Sequence, residues 1–364
     1  MGVTHTIQGD NLTNYPDREP SAISPNDLIL TDATPQQVTF SFERDGLSLA
    51  TTVSGVFEIE DVSIGMGLGV VSEQFAGQYT QEVIRFESPE AAFTETLVYD
   101  TPVDIEPVTD LTETFATLSA RYAGNDVFIG DSTSPSSDDV RGYGGNDRFV
   151  MTYGDRAPDR FRGDVGIDTA VMGSAFEDWG IETSQSLFDP QTGRRDLSGF
   201  LLTDLRVEDP SEFGGEGHQL ALVEVERLEF TDTKLALDFD RGENGYKAAA
   251  LITTLFGSEM IPTYFAPAIG LIDQGQTETQ IAQLVIDLGL FEIASNESFV
   301  DAIYTNVVGS SPDALTQAIY VNQLESGDVS HAQLTAMASG APILESQIFE
   351  IEMWRESGLD FVGF

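Results

Sequence analysis

Three aspartates recur along the sequence at a fixed interval, and each follows a glycine by two residues. Their spacing is 21 residues, and the pairs are Gly124 and Asp126, Gly145 and Asp147, and Gly166 and Asp168. A fixed period with glycine and aspartate in phase is typical of a stacked repeat, in which each period forms one turn of a coil. Stacked turns of this kind present carboxylate and backbone carbonyl oxygens, which are the ligands that calcium prefers. The spacing therefore predicts calcium sites between successive turns.

Two weaker copies lie between the three strong ones. Asp138 and Asp159 complete an aspartate series with steps of 12, 9, 12 and 9 residues. Each 21-residue period therefore holds two nine-residue units and three further residues, which predicts a flattened coil with two short strands per turn. The strong turns would stack on one edge and the weaker turns on the other. The residues predicted to point into the thin core are Phe128, Val140, Phe149 and Phe161.

The fullest copy of the unit, at 142–150, reads Gly-Tyr-Gly-Gly-Asn-Asp-Arg-Phe-Val. It resembles the nonapeptide Gly-Gly-x-Gly-x-Asp-x-apolar-x of repeats-in-toxin (RTX), hemolysin-type calcium-binding proteins, and the resemblance covers roughly residues 121–171. Tyr143 replaces the second glycine, Asp164 replaces it in the third copy, and the first copy lacks the leading glycines. The resemblance implies a parallel β-roll that binds Ca²⁺.

The residue types suggest a role for each position of the unit. Glycine at the first and fourth positions permits positive φ and close backbone approach, and aspartate at the sixth supplies carboxylate oxygen. We expect one ion between the turns of Asp126 and Asp147 and a second between those of Asp147 and Asp168. A single Gly-x-Asp would be an ordinary turn, but three in phase favour calcium. The candidate ligand positions are Gly124, Asp126, Gly142, Gly145, Asp147, Gly163, Gly166 and Asp168, with Asp138 and Asp159 on the weaker edge.

The composition is strongly acidic. The chain has 61 acidic and 17 basic residues, a net charge of −44, and no cysteine. Such a charge argues against binding to nucleic acid or to an anionic membrane surface, because phosphate contacts need basic residues. Disulfide staples are impossible without cysteine, and bound cations could take over their role. Adaptation of the surface to salt is an alternative cause of the acidity, and the two causes are compatible.

The sequences at the two ends of the chain bear on where the protein is located. The N-terminus has neither a basic nor an apolar segment typical of a secretory signal peptide, and no apolar run approaches the length of a membrane span. The final residues 358–364 read Gly-Leu-Asp-Phe-Val-Gly-Phe. They resemble the uncleaved C-terminal signal of type I secretion substrates, although any final strand could read similarly. This resemblance implies a type I exporter as a partner and a secreted, extracellular or cell-surface location.

The regions on either side of the repeats predict an α+β multidomain protein. Residues 1–118 form a predicted β-rich domain, either a sandwich or a lead-in to the coil, with strands at 38–43, 53–60, 83–86 and 96–99. The coil and its closing strands would occupy 119–242. Residues 243–364 predict an all-α domain of six or seven short helices.

Helix signals are frequent in this last region. Thr277 with Gln280 and Ser330 with Gln333 predict capping boxes, and Ser311 before Pro312 predicts an N-cap. Apolar stripes are predicted at 281, 284, 285 and 288 and at 299, 303 and 307. The stretches 299–309 and 320–327 resemble an all-helical domain of unknown function that often follows RTX repeats, and this resemblance supplies no catalytic residues.

Catalytic signals are lacking in the sequence. It contains no His-Glu-x-x-His, Gly-x-Ser-x-Gly or Walker motif, and its histidines, His5, His218 and His331, are far apart. The sequence therefore predicts no catalytic residues and a protein that is not an enzyme. The favoured function is a secreted, calcium-stabilised structural or interaction protein, acting in a surface layer, in adhesion or in extracellular assembly, with itself or a cell-surface component as partner. The alternative is an exported hydrolase with its active site in residues 1–118.

Overall fold

A computed structural model describes residues 3–9, 29–34, 36–44, 47–59, 75–87, 92–105, 124–129, 139–151, 159–189, 194–206 and 219–361. Asp138, His218 and the last three residues, which the sequence analysis singled out, lie outside the described residues. Two sheets and a set of helices give the protein an α+β architecture. By compactness the chain forms two units, Met1–Thr231 and Asp232–Phe364. The division into three domains at residues 118 and 242 remains a prediction.

The first six strands form one antiparallel sheet in the order β1, β6, β5, β4, β3, β2. The strands predicted before residue 100 lie within β3 to β6, except for residue 60, which lies outside the described residues. β1 also pairs in parallel with β7, placing Thr4 opposite Val127. The choice between a sandwich and a lead-in to the coil remains a prediction. The bounds are β1 Val3–Gly9, β2 Ile29–Thr34, β3 Gln37–Arg44, β4 Leu47–Ile59, β5 Phe75–Glu87, β6 Ala92–Ile105 and β7 Val127–Ile129.

The repeat forms two parallel ladders of short strands. In the first, β7 pairs with β9 and β9 with β11, so that Val127, Arg148 and Thr169 lie in one column. In the second, β8 pairs with β10. Each strand covers the seventh to ninth positions of a nine-residue unit, as the 21-residue period predicts. The bounds are β8 Asp139–Arg141, β9 Arg148–Val150, β10 Asp159–Arg162 and β11 Thr169–Val171.

The predicted inward residues do form the core between these ladders. Phe128, Val140, Phe149 and Phe161 are all buried. The ring of Phe161 stacks on that of Phe149, with centroids 5.5 Å apart, and lies 6.3 Å from that of Phe128. Since side chains alternate between the two faces of a strand, a three-residue strand buries its central residue alone. The core is thin for this reason.

A hairpin interrupts the coil, and the chain then returns to it. After a 3₁₀ turn at Phe176–Asp178, β12 Trp179–Asp189 pairs antiparallel with β13 Arg194–Asp204. β14 Gln219–Val223 pairs with β13 and, in parallel, with β10. β15 Arg227–Glu229 then pairs in parallel with β11. A further turn is therefore added to the coil by residues that follow the last repeat only after the intervening hairpin.

The second unit is mainly helical. Its first helix is alanine-rich and almost wholly buried, which is typical of a central core helix. The stretch 232–361, which the structure describes throughout, contains seven α-helices, in agreement with the predicted six or seven. They are α1 Asn244–Phe256, α2 Ile261–Asp273, α3 Glu278–Asp287, α4 Asn296–Val308, α5 Ala314–Ser326, α6 His331–Ser339 and α7 Ile351–Ser357.

Short elements complete this unit. β16 Lys234–Ala236 pairs antiparallel with β17 Leu359–Phe361, which holds part of the predicted export signal, and 3₁₀ turns lie at Ser258–Met260 and Pro342–Gln347. In the described part of the chain, no single helix is long and apolar enough to cross a membrane. The residues of α1 and α2 together have that length and composition, but the pair is bent by 119°.

The helix caps follow the sequence with one exception. Both predicted capping boxes, at Thr277 and Ser330, are present. The predicted N-cap at Ser311 is wrong, because Asp313 caps α5 by accepting the N–H of Thr316 at 2.9 Å. The hydrogen bond from that N–H lowers the pKa of Asp313. A carboxylate is favoured there because the helix N-terminus carries partial positive charge.

One of the two predicted apolar stripes is confirmed. Phe299, Ile303 and Val307 are buried along α4. The stripe of α3 is wrong in part: Ile281 is buried, but Leu284 and Leu288 are 42% and 63% exposed. Leu288 follows the last helical residue, where the chain leaves the helix axis.

We expect Phe161→Ala to lower the free energy of unfolding by about 3–5 kcal/mol, because it removes the ring that joins the two ladders and leaves a cavity. The matched control is Val165→Ala on the same coil, because Val165 is 75% exposed; its effect should stay within about 0.5 kcal/mol. Urea unfolding followed by circular dichroism measures both. Equal effects of the two substitutions would contradict this assignment of the core.

Candidate metal centre

A column of hydrogen bonds links the aspartates of successive turns. Oδ1 of Asp147 accepts the backbone N–H of Asp126, and Oδ1 of Asp168 accepts that of Asp147, both at 2.8 Å. The N–H of Asp168 is in turn donated to Oε2 of Glu226 at 2.7 Å. All three aspartates are fully buried. Each of these carboxylates therefore accepts a backbone N–H of the turn before it.

A second column runs the opposite way along the surface. Oδ1 of Asn125 accepts the N–H of Asn146 at 2.7 Å, and Oδ1 of Asn146 accepts the N–H of Ile167 at 3.0 Å. The two columns together fix the 21-residue register by hydrogen bonds alone. The aspartates consequently have a structural role in addition to any role in binding a metal.

Glycine at the fourth position of the unit is required by close approach of neighbouring backbones. Gly145 and Gly166 have φ of 118° and 156°, as the sequence predicts. A Cβ atom on Gly145 would collide with the carbonyl of Gly124, and one on Gly166 with the carbonyl of Gly145. The three glycines therefore stack directly on one another.

The prediction for glycine at the first position is right about close backbone approach and wrong about positive φ. Neither Gly142 nor Gly163 has positive φ; the second position has it instead, at Tyr143 with 67° and Asp164 with 66°. A Cβ atom on Gly142 would collide with Oδ2 of Asp147 and lie 2.9 Å from the Gly163 carbonyl oxygen. Because Gly142 has no side chain, there is room beside it for a carboxylate oxygen of its own turn, from Asp147, and for a carbonyl oxygen of the next turn, from Gly163. We call this arrangement the first oxygen cradle.

The charge of Asp168 is unfavourable in this environment. Burial raises its pKa from 3.8 to about 7, and the nearby carboxylates of Asp147, Asp164 and Glu224 add to the shift, while the N–H of Asp147 opposes it. Among the described residues, its Oδ2 atom is buried without a hydrogen-bond partner. Buried charge without compensation is costly, and a bound cation would remove this cost.

Arginines compensate part of the remaining charge. Arg162 lies 2.7 Å from a carboxylate oxygen of Asp164 and 3.1 Å from one of Glu224, and Arg141 also pairs with Asp164. On the other ladder, Arg148 pairs with Glu229 at 2.9 Å. These ion pairs follow the strand ends.

The donor set fits a hard cation only when backbone oxygens are counted. Within the described residues, no group of three or more histidine, aspartate or glutamate side chains could hold a metal ion. The first oxygen cradle instead combines the Asp147 carboxylate with the Gly163 carbonyl. Mixed carboxylate and carbonyl oxygens suit Ca²⁺, which accepts six to eight oxygen ligands in flexible geometry.

The predicted positions do not all come together. Gly124, Gly142, Gly145, Gly163 and Gly166 lie in the turns that carry the three buried aspartates. Asp159 is buried at the start of β10, away from these turns and in the second ladder. Asp138 lies outside the described residues, as do residues 121–123 of the first turn, so an ion between the turns of Asp126 and Asp147 remains a prediction.

Sequence reasoning missed the glutamates of the return turn. Glu224, Glu226 and Glu229 belong to the turn and the strand that return the chain to the coil. The side chain of Glu226 is half-buried and occupies the place in the hydrogen-bond column that an aspartate fills in the earlier turns. Neither the glycine pattern nor the 21-residue period extends to this turn, so no signal in the repeat points to it.

The helical unit offers little chemistry at the places described. His331 hydrogen-bonds to Asn296 at 2.9 Å and packs edge-on against Phe299, and burial lowers its pKa. A cleft of about 240 Å³ in this unit is lined by aliphatic residues with Tyr304 and Tyr320. Its lining contains no carboxylate or histidine. Outside this unit, His5 lies in β1.

Comparison with known proteins adds no relative to these observations. No protein-family model matches the chain, and no curated protein sequence matches it. The resemblance to the RTX nonapeptide therefore depends on the residues of the repeat and on the geometry of its turns.

Gly142→Ala should destabilise the protein by about 1–3 kcal/mol, because the new methyl group displaces the Asp147 carboxylate or the neighbouring carbonyl. Gly144→Ala is the matched control. Gly144 has no positive φ, and its Cβ would meet nothing closer than the Val165 carbonyl at 3.8 Å. Its effect should stay within about 0.5 kcal/mol. Urea midpoints of the two variants at one calcium concentration provide the comparison, and an indistinguishable pair would refute the oxygen cradle.

Asp168→Asn should stabilise the calcium-free protein above pH 7. The raised pKa of Asp168 means that its contribution to stability is fully present below pH 3.8 and is lost as the pH rises through about 7. Asparagine keeps an oxygen for the N–H of Asp147 without the charge, so the gain at pH 8 should reach up to about 4 kcal/mol and shrink towards pH 4. Unfolding free energies in chelator at both pH values test this. A variant less stable than the parent at pH 8 contradicts it.

Proposed function

We propose that this chain is a secreted calcium-binding protein in which the two parallel ladders form an RTX β-roll that folds when it binds Ca²⁺. The observation that carries the proposal is the buried Asp168 carboxylate, whose Oδ2 atom has no hydrogen-bond partner among the described residues. The residues that would hold calcium are Asp147 and Asp168, with carbonyl oxygens of the neighbouring turns. Bound calcium would supply the positive charge that these carboxylates lack.

The proposed mechanism is a folding switch driven by calcium concentration. Where calcium is scarce, the net charge of −44 and the buried carboxylates oppose a compact coil, which suits passage through a type I exporter. Outside the cell, calcium exceeds a Kd on the order of 10⁻⁴ to 10⁻³ M. A ten-fold excess over Kd stabilises each site by about 1.4 kcal/mol. Two sites contribute about 3 kcal/mol, which is a large part of a total stability of about 5–15 kcal/mol.

The task outside the cell is proposed to be structural: a surface layer, adhesion or assembly with itself or a cell-surface component. The helical unit leaves several large apolar side chains exposed, among them Leu315 and Ile319 on one side of α5 and Phe349 and Met353 near α7. Exposed apolar groups that cluster are typical of contact surfaces. This supports a role in interaction rather than in solubility alone.

Adding calcium to the chelated protein should raise the unfolding free energy by about 3 kcal/mol, because the ions bind the folded coil and not the unfolded chain. Circular dichroism should show a gain of strand signal that chelator reverses. Magnesium is the control ion, since it demands a smaller octahedral site and keeps its water. The proposal is wrong if strand signal and melting temperature are unchanged up to about 10 mM calcium, well above an extracellular Kd.

A further inference from the structure

The return turn, residues 224–226, stands where a fourth repeat would stand but has none of its sequence. It links β14 to β15 with three residues, whereas six residues, 142–147, link β8 to β9. Glu224 has φ of 52°, an unusual value for a residue with a side chain. The turn is therefore shorter than the turns of the repeat, and Glu224 takes a positive φ as Tyr143 and Asp164 do in those turns.

Glu224 brings its carbonyl oxygen to a buried carboxylate. A Cβ atom on Gly163 would collide with both Oδ2 of Asp168 and the carbonyl oxygen of Glu224. The two oxygens thus lie on the side of Gly163 where its side chain is missing, as Asp147 Oδ2 and the Gly163 carbonyl do at Gly142. We call this the second oxygen cradle. It has the same arrangement as the first oxygen cradle, but its carbonyl oxygen comes from a residue outside the 21-residue repeat.

Two further observations indicate that a ligand belongs there. Asp168 is 0% exposed, and its Oδ2 atom has no hydrogen-bond partner among the described residues. Glu226 fixes the orientation of the Asp168 backbone by accepting its N–H at 2.7 Å. A carboxylate oxygen that is held in place, buried and adjacent to a carbonyl oxygen needs a cation rather than a hydrogen-bond donor at this point.

We infer that the return turn completes a separate calcium site, with Asp168 and the Glu224 carbonyl as ligands and Glu226 as a positioning residue. The inference rests on the proposed calcium function and adds a site that the Gly-Asp series does not contain. Its consequence is that calcium at Asp168 binds only after the chain has formed the β12–β13 hairpin and returned to the coil. Calcium bound at this site therefore indicates that the coil is complete.

The test counts calcium ions by equilibrium dialysis in the full-length protein and in three isosteric variants. Asp147→Asn and Asp168→Asn should each lose one equivalent, and the double variant should lose two, because the cradles are separate. Loss of a single equivalent in the double variant means that both aspartates serve one shared site, and this overturns the inference alone. A parent protein that binds no calcium overturns the proposed function as well.

Hydrogen exchange supplies a second readout, and its first measurement uses the parent protein alone. At ten times Kd, calcium should slow exchange of the amides at 224–229 in the parent protein by about ten-fold. Asp168→Asn should abolish this slowing, and Asp147→Asn should leave it in place. Exchange at 224–229 that ignores calcium in the parent protein, or that loses its calcium response in Asp147→Asn alone, contradicts the second cradle.

Discussion

Each turn of the coil buries a carboxylate, and the rest of the coil is arranged around holding that charge away from water. In the turns of Asp147 and Asp168, one oxygen of the carboxylate accepts an N–H from the preceding turn, so the side chain cannot leave without breaking the register. The other oxygen of each lies beside a glycine, next to a carbonyl of the following turn. Hydrogen bonding thus fixes the position of the charge, but it does not neutralise it, and the raised pKa of Asp168 reflects this imbalance.

This constraint explains why glycine recurs at two positions of the unit for two different reasons. At Gly145 and Gly166 the neighbouring backbones stack too closely for a side chain. At Gly142 and Gly163 the space is filled by oxygen atoms instead. The intervening second position takes the positive φ, and the chain tolerates Tyr143 and Asp164 there because their side chains interact with Arg141. Backbone strain at these positions is offset by local contacts.

The period was sufficient to predict the ladders and their core. Strands at the seventh to ninth positions of each unit, and Phe149 and Phe161 pointing inward, follow from spacing because every turn has the same length. The contacts by which residues distant in sequence close the coil could not be predicted in this way. β1 covers the first rung from more than 100 residues away, and Glu226 continues the aspartate column after a hairpin that breaks the period. Neither has a local pattern.

The cap of α5 was predicted at the wrong residue because Ser311 and Asp313 are both residue types that cap helices well. The carboxylate of Asp313 has the stronger electrostatic preference for a helix N-terminus.

Diffraction from crystals grown with calcium shows whether ions lie beside the buried carboxylates, because anomalous scattering locates the ion independently of the surrounding chain. We expect two peaks, one beside the Asp147 carboxylate and the Gly163 carbonyl and one beside the Asp168 carboxylate and the Glu224 carbonyl, with these oxygens about 2.3–2.6 Å from the ions. Crystals saturated with calcium that show water or no density at these positions, with the aspartate column intact, would contradict this expectation. The buried carboxylates would then serve the hydrogen-bond column alone.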